Sequence, residues 1–557
     1  MDAWLPKSVL CLRDYDRRKF VSDVIAGVTV GLVALPLAMA FAISSGVPPQ
    51  SGIYCAIVTG FLISALGGSK TQIGGPTGAF VVVVAGIVAR YGLHGLFVCT
   101  MMAGVLLILL GATGLGAAVR FIPRPVVVGF TNGIAVLIAS TQVKDFFGLK
   151  TAEVPGEFLA RMFVVAKALP TWSPSATALA VSALVLIVLA AKLSKRVPGT
   201  IIALVAGTAA TAILHLRVET IGTRFGGIPS GLPTIALPPF RHDLVPLLLA
   251  PAVTVAMLGA IESLMSAVVS DRMSGDKHNP NVELIAQGIA NVVSPLFGGL
   301  PATGAIARTA TNIRSGAQTP MAGMVHALTL LAVLLFAAPL ASFIPLAVLA
   351  AILLVVAYNM GDWEEVPELL RLTKADISVW LITFGLTVFA DLTIAVEVGM
   401  ILAALLFIRK VSTTTTVSRV TGHYLEEGRA HILQDKHIPD YVTIFRIHGP
   451  FLFGSTDKIA EITEHLDELP PVVILRLRNM TAIDATGLLA LEDVADKVHA
   501  SGRDLILCGA PKQPRSLMRQ AEFERHVGIE NICVNVAEAL ARAAWLHERP
   551  RPQASGG

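Results

Sequence analysis

Between Gly298 and Gly316 the chain reads GGLPATGAIARTATNIRSG, a glycine-rich stretch with two arginines set among long apolar segments. Pro301 lacks an amide donor and restricts Ala302, and Gly298, Gly299 and Gly304 lower helix propensity. The spacing predicts irregular chain to about Ala302, then a short helix from Thr303 with the Thr303 hydroxyl as its cap. The amides of Gly304, Ala305 and Ile306 would then be free, with the positive end of the helix dipole behind them. Arg308 would sit one turn in. Free amides, a dipole and a guanidinium together make an anion site. A second start of this kind is read at GGPTGAF (Gly74–Phe80), where Thr77, Gly78 and Ala79 would present their amides. Tight helix packing is the plainer reading of those glycines.

A carboxylate completes the set. Glu262 lies mid-run in AMLGAIESLMSAVV; an ionised group at that depth costs about 2.5–3.5 kcal/mol to insert. Either it pairs structurally with Arg308, or it takes up a proton, or it shares a cation site with Ser266 one turn on. Asn281, Gln287 and Asn291 recur along one segment and read as helix–helix hydrogen bonds. His326 reads as a satisfied core histidine, and Asp391 and Glu397 as structural partners of Lys374 or Arg409. No nucleophile, phosphate loop or metal spacing stands out, so neither an enzyme, a cofactor nor a metal is expected.

The elements that must hold these residues are apolar. The chain has 557 residues, 54% hydrophobic and 15% charged, with a mean hydropathy of +0.70. That is a polytopic membrane protein. The net charge of +4 is small, and the basic residues lie at the ends of apolar runs, so no nucleic-acid partner is expected. The five cysteines have no disulfide or zinc spacing. The N-terminus is polar and charged, which does not read as a cleaved signal.

About fourteen apolar runs between residues 24 and 409 are legible, the third and tenth short and interrupted. Three matches recur in order at an offset of about 220–226 residues: GVTVGLVALPLAM with AVTVAMLGAIESLM, GGPTGAF with LPATGAI, and RFIPRPVV (Arg120–Val127) with SFIPLAVL. Seven runs per half is odd, so the halves must run oppositely. The fold expected is an all-α polytopic membrane domain, a 7+7 inverted repeat whose two half-helices meet near the midplane. Basic clusters that include Arg17, Arg120, Lys195, Arg196, Arg272 and Lys410 put both termini in the cytoplasm.

The expected boundaries are an N-terminal cytoplasmic segment at 1–22, a transport domain at 23–410, a linker at 411–422, a soluble domain at 423–545 and a disordered tail at 546–557. In the soluble part YVTIFRIHGPFLFG reads as strand, turn, strand about Gly449-Pro450, VVILRLR as a strand, DKIAEITEHLDEL and the stretch after DATG as helices, and RDLILCGA as a further strand. That order predicts an α/β domain with helices on one side of a sheet.

ALPLAMAFAISSGVPPQSGIY, the two half-helix starts, NVELIAQGIANVVSPLFGGLPATGAIARTATN and DATG together resemble the SulP anion transporter family, and the C-terminal part is similar to a STAS domain. The resemblance covers nearly the whole chain. It implies a core and a gate domain, elevator-like movement of an anion, and a homodimer in a bacterial inner (plasma) membrane. A sodium-coupled bicarbonate member carries Asp and Thr at the positions of Glu262 and Ser266; Glu here resembles proton-coupled relatives. Leu37 and Phe41 stand where many eukaryotic relatives carry Gln and Tyr, which makes the pocket more apolar. The implied activity is secondary active, proton-coupled uptake of a small oxyanion, sulfate first. Bicarbonate or a C4-dicarboxylate, with protons or sodium, and an uncoupled exchanger or channel are the alternatives. Thr486 in DATG matches a position phosphorylated in anti-sigma-antagonist relatives, and a cytoplasmic protein partner is implied there; an N-cap at Thr486 or Asp484 is the structural reading.

Overall fold

The computed structural model describes residues 4–549 except 115, 117–122, 152–154, 156, 194–198, 230, 232–234, 239–243, 391, 420–437 and 465, and not the side chains of 392, 393, 396, 397, 460 and 461. Asp391, the side chain of Glu397, Arg120, Lys195, Arg196, the end of the linker and the tail beyond 549 thus lie outside the described residues. The chain divides into two compact units, Met1–Ile401 and Leu402–Gly557.

The first unit is helical. In order it contains α1 (Lys7–Leu12), α2 (Arg17–Ser44), α3 (Pro49–Leu66), the short strand β1 (Gly74–Gly75), α4 (Gly78–Ala112), α5 (Arg124–Phe147), α6 (Phe158–Ala168), α7 (Pro174–Leu193), α8 (Gly199–Ile213) and α9 (Ile221–Phe225). It continues with α10 (Val245–Ser274), α11 (Pro280–Val293), β2 (Thr303–Gly304), α12 (Ile306–Arg314), α13 (Met321–Ala341), α14 (Leu346–Met360), α15 (Val366–Leu369), α16 (Lys374–Phe389) and the start of α17 (Leu392–Thr414), whose sequence runs past the boundary at Ile401. Each predicted apolar run falls on helix. The third and fourth share α4, which bends at Gly92 with φ 70. Eight helices among the described residues are long and apolar enough to cross a membrane, and the unit is membrane-embedded.

Two bundles form within it. Helices α2, α3, α4, α10, α11, α12 and α13 pack together, and α5, α7, α8, α14 and α16 form the other. Small residues set the spacing. A Cβ at Gly104 on α4 would lie 2.7 Å from the Gly288 carbonyl on α11, and one at Gly288 would lie 2.5 Å from the Gly104 carbonyl. These two backbones therefore touch. On α5, Gly129 and Gly133 meet α16 at Thr383 and Thr387 in the same way.

Two buried carboxylates that the sequence did not single out tie elements of the first bundle together. Asp23 on α2 accepts from the amides of Gln318 and Thr319 at 2.7 and 3.1 Å, just before α13. The Tyr15 hydroxyl also donates to it, and burial, with Asp23 beside it, pushes Tyr15 up to about 12. Glu283 on α11 accepts from the amides of Gly68 and Ser69 at 2.9 and 3.1 Å and from the Gln287 side chain at 2.9 Å. Glu283→Ala is expected to strand three buried donors and to cost ~3 kcal/mol of stability. The check is the melting temperature of the detergent-solubilised protein; an unshifted melt would remove the anchoring role.

His326 departs from expectation. Both its ring nitrogens are buried without a hydrogen-bond partner among the described residues. The ring lies against Gly60 on α3, whose missing side chain leaves room for it but supplies no side-chain acceptor.

The second unit holds a five-stranded sheet in the order β3 (Thr416–Arg419), β4 (Val442–Phe451), β5 (Val472–Ile483), β6 (Asp504–Cys508) and β7 (Ile532–Cys533). The first pair is antiparallel and the rest parallel. Its helices are α18 (Ala460–Glu464), α19 (Ala485–Ala500), α20 (Lys512–Gln520), α21 (Glu524–Val527) and α22 (Val536–Glu548). They lie on both faces, which corrects the one-sided expectation. Leu491 and Val494 of α19 pack with Val473, Leu475 and Leu505, while Ala539 and Ala543 of α22 pack with Ile444, Ile474 and Ile506. The continuous VVIL run already has the two-faced burial of a parallel strand.

Candidate functional site

The two interrupted stretches meet. Gly74 pairs with Gly304 and Gly75 with Thr303 in an antiparallel ladder, after which α4 and α12 depart. The pairing moves the expected helix start. Thr303 does not cap α12, which begins at Ile306 with Ala305 as its N-cap. The Thr303 hydroxyl donates to the Gly259 carbonyl at 2.8 Å, and the Ala305 amide donates to the Ile73 carbonyl at 2.8 Å. The ladder takes groups that an isolated helix would have left free. The donors without intrahelical partners are therefore the first-turn amides of α12, from Ile306 to Arg308, and those of Gly78 and Ala79 on α4.

Neighbouring side chains fix this crossing. Asn291 on α11 clamps Ala302, donating to its carbonyl and accepting from its amide, each at 2.8 Å. Asn312 donates to the Thr71 carbonyl at 2.9 Å, and the Thr309 hydroxyl accepts from the Ile73 amide at 3.0 Å. Gln72 donates to the carbonyl and hydroxyl of Ser263 at 3.2 Å. A Cβ at Gly304 would lie 1.7 Å from the Gln72 side-chain nitrogen, so a side chain there would displace Gln72 from Ser263.

In front of the crossing lies a cavity of about 310 Å³ between the two bundles. The first bundle contributes Thr77, Gly78 and Ala79, Ala305 to Arg308, Glu262, and the apolar Leu37 and Phe41 of α2. The second bundle contributes Phe130 and Thr131 from α5, Asn359 and Met360 from the end of α14, and Asp362 just beyond it. Thr77 donates to Glu262 at 2.8 Å. Arg308 donates through Nη2 to the Pro76 carbonyl, while its buried Nη1 has no hydrogen-bond partner among the described residues. Glu262 and Arg308 share the wall, yet no ion pair joins them among the described residues. A buried guanidinium, the first-turn amides of two helices and a carboxylate held by a hydroxyl border one cavity, a set of groups that can bind an anion and a proton side by side.

The sequence-predicted residues separate here. Thr77, Gly78, Ala79, Ala305, Ile306, Arg308 and Glu262 line the cavity. Thr303 and Gly304 are buried in the ladder behind it. Ser266 is turned away, its hydroxyl 3.1 Å from that of Thr309. Asp362, Thr131 and Asn359 were missed. The only sequence signal for Asp362 was an acidic residue closely following a long apolar run. In the soluble unit Asp484, not Thr486, caps α19, accepting from the Gly487 amide at 2.8 Å and from Phe453 at 3.1 Å. Thr486 is exposed in the first helical turn.

Comparison with known proteins agrees with this architecture. The chain is 42% identical over 518 residues to a putative sulfate transporter, YvdB, of Bacillus subtilis, covering 93% of this chain and 96% of that protein. It is 31% identical over 550 residues to the bicarbonate transporter BicA of a Picosynechococcus species, covering 94% and 95%. The transmembrane domain of a cyanobacterial BicA superposes with a TM-score of 0.61 at 34% identity, covering 70% of this chain and 98% of that one. The structure of SLC26A9 shares the fold across 96% of this chain and 92% of its own, with a TM-score of 0.86 at 17% identity. The sulfate permease family model matches residues 20–383 and the STAS domain model residues 434–539. The chain belongs to the sulfate permease family and carries a C-terminal STAS domain.

Proposed function

We propose that this protein is a secondary transporter that moves a small oxyanion together with a proton. The observation that carries this reading is the cavity between the two bundles, which holds both half-helix starts, Arg308 and Glu262. The amides of Gly78, Ala79, Ile306 and Ala307 and the guanidinium of Arg308 hold the anion, and Glu262 carries the proton. All sit on the first bundle, so sliding that bundle against the second carries anion and proton together. Entry of negative charge into an inside-negative cell costs about 2.3 kcal/mol per charge per 100 mV, which a co-transported proton offsets.

Sulfate, the first expectation, is supported by the name of YvdB, and bicarbonate by that of BicA. Sodium in place of the proton is the weaker alternative, because the Ser266 hydroxyl that would complete a cation site is engaged by Thr309. The same reading places the protein in a bacterial inner membrane as a homodimer with both termini cytoplasmic. It assigns Thr486 as the exposed regulatory hydroxyl of a STAS domain that meets a cytoplasmic partner. The test is uptake of labelled sulfate, bicarbonate and succinate into proteoliposomes with an inward proton or sodium gradient. Stimulation of one anion by protons supports the proposal. Stimulation by sodium alone, or indifference to both gradients, refutes the proton coupling.

A further inference from the structure

We propose that Asp362 is a specificity-determining residue of the cavity, a carboxylate on the second bundle that selects anions bearing their own O–H donor over fully deprotonated dianions. This rests on the transport reading above and names the substrate class within it.

Asp362 follows α14 and lines the cavity wall together with Glu262 and Arg308. Its Oδ2 accepts from the Thr131 hydroxyl at 2.9 Å. An ionised carboxylate offers about four acceptor positions, so most of its capacity remains after Thr131. No cation forms an ion pair with it among the described residues. Arg124, the basic residue nearby on α5, is held by Glu365 and, at 3.2 Å, by Glu368. From the facing bundle come Arg308, committed in part to Pro76, and Glu262, held by Thr77.

An anion in this cavity thus meets the amides and guanidinium of the first bundle on one side and, on the other, the Asp362 carboxylate beside Asn359 and Thr131. The amides of α4 and α12 and Arg308 all donate. Asp362 only accepts. Sulfate has acceptor oxygens alone, so one of its edges faces the Asp362 carboxylate lone pair to lone pair. A monoanion such as bicarbonate turns its oxyanion edge to the amides and Arg308 and donates its O–H to Asp362, a charge-assisted hydrogen bond. Charge favours the same choice. With Glu262 protonated, Arg308 and Asp362 balance, and a monoanion leaves half the excess negative charge that a dianion does.

The test is binding of bicarbonate and of sulfate to the purified full-length protein, read as ligand-dependent thermal stabilisation at a pH where sulfate is the dianion. The wild type is expected to bind bicarbonate at least tenfold more tightly. Asp362→Asn removes the charge and supplies an N–H donor, so the preference should fall at least tenfold. Asp362→Ser, neutral and small, should lose the preference too and guards against a folding defect of the first variant. An unchanged ratio in both Asp362 variants, or a wild-type preference for sulfate, overturns the proposal while leaving oxyanion transport intact. Failure of every oxyanion to bind or to be taken up by the wild type overturns the transport reading and this one with it.

Discussion

Glu262→Gln is expected to abolish proton-driven uptake while leaving anion binding in place. Glutamine is isosteric with the protonated acid. Its carbonyl oxygen can still accept the hydrogen bond that Thr77 gives Glu262 at 2.8 Å, so the first turn of α4 keeps its position. What disappears is the exchangeable proton. The affinity measured by thermal stabilisation should stay within about threefold, less than 1 kcal/mol. Uptake in proteoliposomes should become indifferent to an inward proton gradient. A variant still accelerated by that gradient would place the coupling proton elsewhere. The retained binding separates loss of coupling from loss of fold.

Removing the guanidinium should have the larger effect on the anion itself. Arg308 reaches back to the Pro76 carbonyl through Nη2 and leaves Nη1 without a partner among the described residues. It therefore has two roles, bracing the segment before α4 and placing a positive charge in the cavity wall. Arg308→Ala is expected to lower uptake about 100-fold, close to 3 kcal/mol, the scale of one buried charge-assisted hydrogen bond. Arg308→Lys keeps the charge but not the planar fork, and an ammonium cannot serve both directions with the same geometry. An intermediate loss of about tenfold follows. Equal uptake by the alanine variant and the wild type would show that the amides alone hold the anion.

Much of the membrane unit was legible because hydropathy reports lipid and core burial directly, and glycine and proline mark where a span breaks. Gly75-Pro76 and the run from Gly298 to Ala302 located both half-helices. What stayed hidden depended on partners distant in sequence. Thr303 is a fair N-cap by type, yet the strand at Gly74-Gly75 competes for that backbone and moves the N-cap two residues on, to Ala305. Ser266 lies one turn from Glu262, but Thr309 from α12 takes its hydroxyl. Thr131 and Asp362 belong to helices that read simply as apolar spans or their ends. Only the approach of the second bundle makes them one wall. In the soluble unit the apolar run of β5 was legible, while its second helical layer was not, because α22 lies far downstream of the strands it covers.

The ladder of four residues also bears on how the protein comes to exist. The contact between Arg308 and Pro76 spans 232 positions. Contacts of such separation form only after the loop-closure entropy of the intervening chain has been overcome. A nascent chain that has delivered only its first half to the bilayer holds the amides of α4 with nothing opposite them. The cavity thus cannot be complete until both halves of the membrane unit are in the bilayer, and delayed arrival of α12 leaves inserted helices around a binding site not yet made.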